Sequence, residues 1–175
     1  MIDRPALRTL IGKRNLVGCE IGVGEGINAL QILRNLDVKK LYLIDPYERY
    51  KDDPKQIEVM VTPANGKEEV AKGKLAPYAD KIVWIKEISS LAHTQLQTEE
   101  LDFIYIDGNH SYKSAKEDIL NYFPKVKIGG LISGDDYNHP MDDYGVKKAV
   151  DEAFGDTVVK KKRPTLSAVD WWITR

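Results

Sequence analysis

Short apolar, β-prone runs alternate along this chain with amphipathic stretches, the pattern of a mostly parallel sheet joined by crossover helices. The first run, Leu16 to Val23, precedes Ile27 to Leu36, where Ile27, Leu30, Ile32, Leu33 and Leu36 fall at helical spacing. Leu41 to Ile44 predicts a second strand, stopping at Asp45-Pro46. Ile82 to Ile85 predicts a third, with a helical segment from Ser89 to Gln97 behind it. Phe103 to Ile106 predicts a fourth, which stops at Asp107-Gly108 and leads to a helix from Tyr112 to Phe123. A fifth, Gly130 to Ser133, ends near the acidic pair Asp135-Asp136, and a helix from Val146 to Phe154 follows.

The tail changes character. Thr157 to Val159 and Ala168 to Ile173 are two β runs around a short Lys/Arg/Pro link, so the sheet is expected to end in an antiparallel pair. Between Pro46 and Asp80 the chain is longer than a plain crossover requires. A helix ending near Leu75 is predicted there, with Asn65 as its N-cap. The residues before it suit a substrate-facing lid or a solvated insertion equally.

Composition narrows the class. The 175 residues suit a single domain, residues 1–175, without repeats or an interdomain linker. With 26 basic and 27 acidic side chains the net charge is -1, which argues against a nucleic-acid or membrane-coating role. One cysteine, Cys19, cannot form an internal disulfide. The charged N-terminus lacks a signal-peptide core, and a cytoplasmic setting is the default expectation. The first strand starts about fifteen residues into the chain, so no long N-terminal substrate-binding extension is expected.

Candidate chemistry sits where strands end. Glu20-Ile21-Gly22-Val23-Gly24-Glu25-Gly26 lies directly between a strand and a helix. Glycines permit a tight turn and the approach of a ligand to backbone, and the helix N-terminus behind them suits a carboxylate. The alternative is a turn needed only for packing. Asp45 ends the second strand, where a carboxylate accepts ribose hydroxyls, although a solvated strand-end Asp reads the same way. Further on come Asp107-Gly108-Asn109-His110-Ser111-Tyr112 and Gly134-Asp135-Asp136-Tyr137. If their strands are neighbours, Asp107, Asp135 and Asp136 converge, and carboxylates so placed repel unless a hard divalent cation such as Mg²⁺ or Ca²⁺ shares them. A metal-free site whose acids bind cofactor or cap loops is the competing expectation.

The glycine spacing differs from the G-x-G-x-x-G of dinucleotide enzymes. The E-x-G-x-G-x-G pattern resembles the first motif of class I S-adenosylmethionine-dependent methyltransferases, and "IDGNHSY" with "GGLISGDDY" resembles the IDGxHSY-containing and macrocin/novobiocin-type sugar O-methyltransferase group. The resemblance runs from about Leu16 to the final strand. It implies a Rossmann-like α/β fold: a mostly parallel seven-stranded sheet, a C-terminal antiparallel hairpin and helices on both faces. It implies S-adenosylmethionine as cofactor, held by Glu20, Gly22, Gly24, Gly26, Asp45 and Asp107, with Glu87 and Ser89 in the adenine region. Glu20 would receive the ammonium. In metal-dependent members, acids at the places of Asp107, Asp135 and Asp136 hold Mg²⁺. Some sugar enzymes carry their general base two residues after the first of these acids. Here that residue is Asn109, so His110, beside Asp107, becomes the candidate base.

The implied reaction is O-methylation of a small hydroxylated acceptor such as a sugar, with no nucleic-acid or membrane partner and with a homo-oligomer as an open expectation. An NAD-linked oxidoreductase and a non-catalytic cofactor-binding subunit are the rivals. Acceptor-pocket candidates are the Pro46–Asn65 region and the Asp136–Tyr144 loop with His139, or a partner subunit. His93 reads as a surface residue and Lys160-Lys161-Lys162-Arg163 as a solvated turn. Tyr112, Tyr137, Trp171 and Trp172 suit either substrate stacking or the core.

Overall fold

The computed structural model describes residues 2–48, 64–138 and 145–175. Five strands run parallel: β1 (Leu16–Ile21), β2 (Val38–Ile44), β3 (Ile82–Ile85), β4 (Leu101–Ile106) and β5 (Val126–Gly134). β6 (Val159–Lys162) and β7 (Val169–Thr174) form the expected antiparallel pair. The sheet order is β3-β2-β1-β4-β5-β7-β6, so β7 lies antiparallel between β5 and β6.

Helices cover both faces because successive strand residues point to opposite sides. In β4, Phe103 and Tyr105 join one core cluster and Ile104 and Ile106 the other. The Phe103 side packs under α1 (Pro5–Arg8), α2 (Ile27–Asn35) and α3 (Ala64–Leu75) through Ala6, Leu7, Ala29, Ile32, Ala71 and Leu75. The Ile104 side packs under α4 (Ser89–Ala92), α5 (Tyr112–Tyr122) and α6 (Val146–Phe154). Each large apolar side chain sealed in this way contributes about 1.5–3 kcal/mol.

Four details differ from the sequence reading, each for a local reason. β1 stops at Ile21, not Val23, because Gly22 turns the chain at φ +83°. Asn65 is the second residue of α3 and so is not its N-cap; the capping position lies outside the described residues. The helix after β3 covers only Ser89–Ala92 and tightens to a 3₁₀ turn over His93–Gln95. Lys160, Lys161 and Lys162 are not a link but belong to β6, whose exposed lysines suit an unpaired sheet edge.

The parallel ladder continues one residue beyond several strands. Asp45 N–H donates to Ile85 O (3.3 Å), Gly22 to Ile44 O (2.9 Å), Asp107 to Ile21 O (2.8 Å) and Asp135 to Ile106 O (3.1 Å). Asp45, Gly22, Asp107 and Asp135 therefore stand in one row along the carboxyl edge of the sheet. That is the edge where open α/β sheets bind ligands. No helix among the described residues is long and apolar enough to cross a membrane.

Candidate active site

Gly22, Gly24 and Gly26 all have positive φ, at +83°, +52° and +75°. Their surroundings separate their tasks. A Cβ on Gly22 would lie 1.9 Å from the carbonyl oxygen of Asp107, so this glycine lets the ends of β1 and β4 touch. A Cβ on Gly26 would meet Ala71 at 3.3 Å, where α2 starts against α3. Gly24 has no described atom within 4 Å of that position.

Beneath the turn, Glu20 is 1% exposed. Its Oε1 accepts from Asn28 Nδ2 at 3.2 Å, whereas Oε2 has no hydrogen-bond partner among the described residues. Burial pushes this carboxyl up to about 8, and the Asn28 bond only partly offsets that. Asp45 has a task the sequence did not disclose. Its Oδ2 accepts from the N–H groups of Val23 and Gly24, both at 2.9 Å, and its Oδ1 from that of Tyr47 at 2.8 Å. It fixes the glycine turn as well as bordering it. Glu87 is half-buried and its Oε1 accepts from Ile88 N–H at 2.8 Å. Ser89 opens α4 and approaches Asp118 without a well-formed hydrogen bond; burial pushes Asp118 up to about 7.

β4 and β5 are neighbours, as the convergence of the acids required. Yet the three carboxylates do not turn to one point. Asp107 Oδ1 lies 3.4 Å from His110 Nε2 and its Oδ2 lies 3.0 Å from Arg4 Nη2. Asp136 Oδ2 lies 3.2 Å from the same His110 nitrogen. Asp135 points elsewhere: its Oδ2 accepts from Arg4 Nη1 and from Arg163 Nη1, the latter at 2.8 Å. Arg163 continues to Asp3 Oδ2 at 3.0 Å, where Thr165 Oγ1 also donates. Among the described residues, the group whose potential ligand atoms all lie within 4.8 Å of one another is Asp107, His110 and Asp136. Burial of His110 alone would favour its neutral form, but Asp107, Asp136 and Asp135 outweigh it and raise the imidazole above its ordinary value.

The loop carrying His110 is held by its own polar residues. Asn109 Oδ1 accepts from Ser111 N–H at 2.9 Å, and Ser111 caps α5 through Ser114 N–H at 3.3 Å. Asn109 is thus a turn former beside the base position.

Arg4 and Arg163 escaped the sequence reading. Arg4 reaches acids more than a hundred residues away, and nothing in its neighbourhood in sequence marks it. Arg163 closes a run whose lysines are exposed, but its own side chain is 10% exposed and turned inward. His93 is half-buried, its ring 6.2 Å from that of Tyr122. Trp171 is 1% exposed in the core, while the Tyr112 and Tyr137 hydroxyls donate to Glu152 and Asp151. His139 and most of the acceptor-pocket candidates lie outside the described residues.

The family described as "Methyltransferase domain" matches residues 19–137, from β1 to just past the acidic pair. No curated protein matches the chain significantly. Solved structures share its fold. The O-methyltransferase NovP aligns with TM-score 0.70 and 22% identity over 99% of this chain and 78% of its own. An rRNA methylase from Streptococcus thermophilus aligns with TM-score 0.64 and 14% identity over 100% and 98%. A precorrin-6y C5,15-methyltransferase from Geobacter metallireducens gives 0.63 and 16% over 95% and 82%. At these identities the likeness is one of fold.

Proposed function

Because the chain belongs to the methyltransferase-domain family, a family that implies S-adenosylmethionine as cofactor, we propose that it is an S-adenosylmethionine-dependent O-methyltransferase acting on a small hydroxylated acceptor such as a sugar. The observation that carries this reading is the pairing of Glu20 with Gly24. Among the described residues, a buried carboxylate oxygen without a partner lies under a glycine turn that no other atom closes off. That is what a ligand with an ammonium group requires.

The cofactor, when bound, supplies a methyl carbon activated by its positive sulfur. Glu20 receives the ammonium, directly or through water, and Gly24 admits the ligand to the backbone. Asp45 holds the turn in place and has lone pairs left for ribose hydroxyls. Glu87 and Ser89, beyond β3, border the adenine end. Across the Gly22–Asp107 contact lies His110. In its neutral form His110 keeps its hydrogen on Nε2, towards Asp107 and Asp136, and its other ring nitrogen takes the proton of the acceptor hydroxyl, the two carboxylates orienting the ring and stabilising the imidazolium. The likeness in fold to the O-methyltransferase NovP agrees with an oxygen acceptor. A divalent ion shared by Asp107, Asp135 and Asp136 does not fit this geometry, because Asp135 Oδ2 already meets two guanidinium groups.

Labelled-methyl transfer to a panel of hydroxylated sugars, with and without EDTA, tests the reading. Label on oxygen of a panel member supports it. Transfer confined to nitrogen or carbon acceptors removes the oxygen assignment, and failure to bind S-adenosylmethionine removes the whole.

A further inference from the structure

Asp107 and Asp135 end neighbouring strands, and their charges need an opposite charge nearby. One guanidinium supplies it. Arg4 spans the two acids with separate nitrogens, Nη2 to Asp107 and Nη1 to Asp135, and lies over the Tyr105 ring at 5.0 Å. Arg163 adds a second positive charge, bridging Asp135 and Asp3. The result is a continuous chain of alternating charge, Asp107–Arg4–Asp135–Arg163–Asp3, in which both arginine side chains are about nine-tenths buried.

Arg4 is not a loose N-terminal side chain. Directly after it, α1 starts at Pro5 and buries Ala6 and Leu7. Ala6 N–H donates to Asp170 Oδ2 at 3.3 Å, and Asp170 Oδ1 accepts from the Tyr105 hydroxyl at 2.9 Å. Arg8 Nε donates to Ile2 O at 2.7 Å. The segment is fastened on both sides of Arg4, and its guanidinium is aimed at the strand ends by the fold.

We propose that Arg4, supported by Arg163, is the built-in cation of this site: it stands between Asp107 and Asp135 in place of a divalent metal, so that methyl transfer proceeds without one. The proposal rests on reading this strand edge as the methyl-transfer site. A metal ion bridging Asp107 and Asp135 would face two fixed positive charges and would have to displace Arg4 from both acids, and one held by Asp107, His110 and Asp136 would occupy the imidazole read as the base. It also bears on the acceptor. Without a metal to chelate, an acceptor needs one hydroxyl within reach of His110, not two adjacent oxygens.

Mn²⁺ titration of the full chain, read by electron paramagnetic resonance, tests this without reference to turnover. The wild type is expected to leave millimolar Mn²⁺ free. Arg4→Met is expected to raise Mn²⁺ affinity by about tenfold or more, since two acids then lack their cation, and Arg4→Lys is expected to behave as the wild type. One Mn²⁺ bound per wild-type chain overturns the proposal, whether Asp135→Asn or His110→Asn removes it. The wild-type arm decides even if Arg4→Met does not fold. S-adenosylmethionine calorimetry on the same samples keeps the two readings apart: absent cofactor binding sinks the functional reading, whereas Mn²⁺ binding sinks this one.

Discussion

The two halves of the carboxyl edge treat their carboxylates in opposite ways. Under the glycine turn, Glu20 is buried, burial pushes it up to about 8, and among the described residues one of its oxygens has no partner and nothing lies within 4 Å of a Cβ on Gly24. At the ends of the next two strands, Asp107 and Asp135 are matched by Arg4 and Arg163, and Asp136 by His110. The second half brings its own cations. On the proposed reading, a ligand with an ammonium group completes the first half, and the imidazole acts on the acceptor in the second.

The most damaging change on the acid side is His110→Gln. It is expected to lower kcat by about 10²–10⁴-fold while leaving S-adenosylmethionine affinity unchanged. Equal losses in binding would erase the division between the halves. Next is Arg4→Ala, which strands two carboxylates. It is expected to cost about 3 kcal/mol in urea unfolding, and a loss below about 0.5 kcal/mol would mean the charge chain is no more than a surface pair. On the cofactor side, Glu20→Gln is expected to weaken S-adenosylmethionine binding by about 10- to 100-fold. The free protein should become more stable at pH 7, because the folded chain keeps Glu20 mostly protonated there while the unfolded chain releases that proton.

The smallest effect is on pH dependence. Burial raises Glu20 from 4.5 to about 8, and Asp118 and Asp170 from 3.8 to about 7. The folded chain holds protons that the unfolded chain has released in that interval. Stability therefore falls as pH rises from about 4 to about 8 and levels beyond. S-adenosylmethionine binding at pH 7 should release a proton as Glu20 ionises, measurable by calorimetry in buffers of different ionisation enthalpy. Uptake instead of release would mean the ammonium goes elsewhere. For His110, whose imidazole is raised, turnover should increase with pH through a value above the ordinary 6.5; a flat profile there would remove it as the base.

The glycine-turn half was more legible in the sequence than the acid half because the first is local. Strand, glycine turn and helix follow one another within Leu16 to Asn35, and their periodicity and glycine spacing are visible in one window. The parallel strands and final hairpin are similarly readable, since each is written in a short apolar run. The acid half was legible only as acids. Its counter-charges come from Arg4 in the N-terminal segment and Arg163 before the last strand, and only the fold brings them to Asp135. The hydrogen bonds of Asp45 to Val23 and Gly24 were hidden for the same reason, because they cross from β2 to β1.

The central claim is that the edge is divided, with Glu20 receiving the cofactor and His110 acting on the acceptor. Calorimetric titration of S-adenosylmethionine into the wild type, Glu20→Gln and His110→Gln tests it most directly. The account predicts equal binding to the wild type and His110→Gln, and a loss of about 10- to 100-fold in Glu20→Gln. Equal affinity in all three proteins, or tighter binding of NAD than of S-adenosylmethionine, would contradict it.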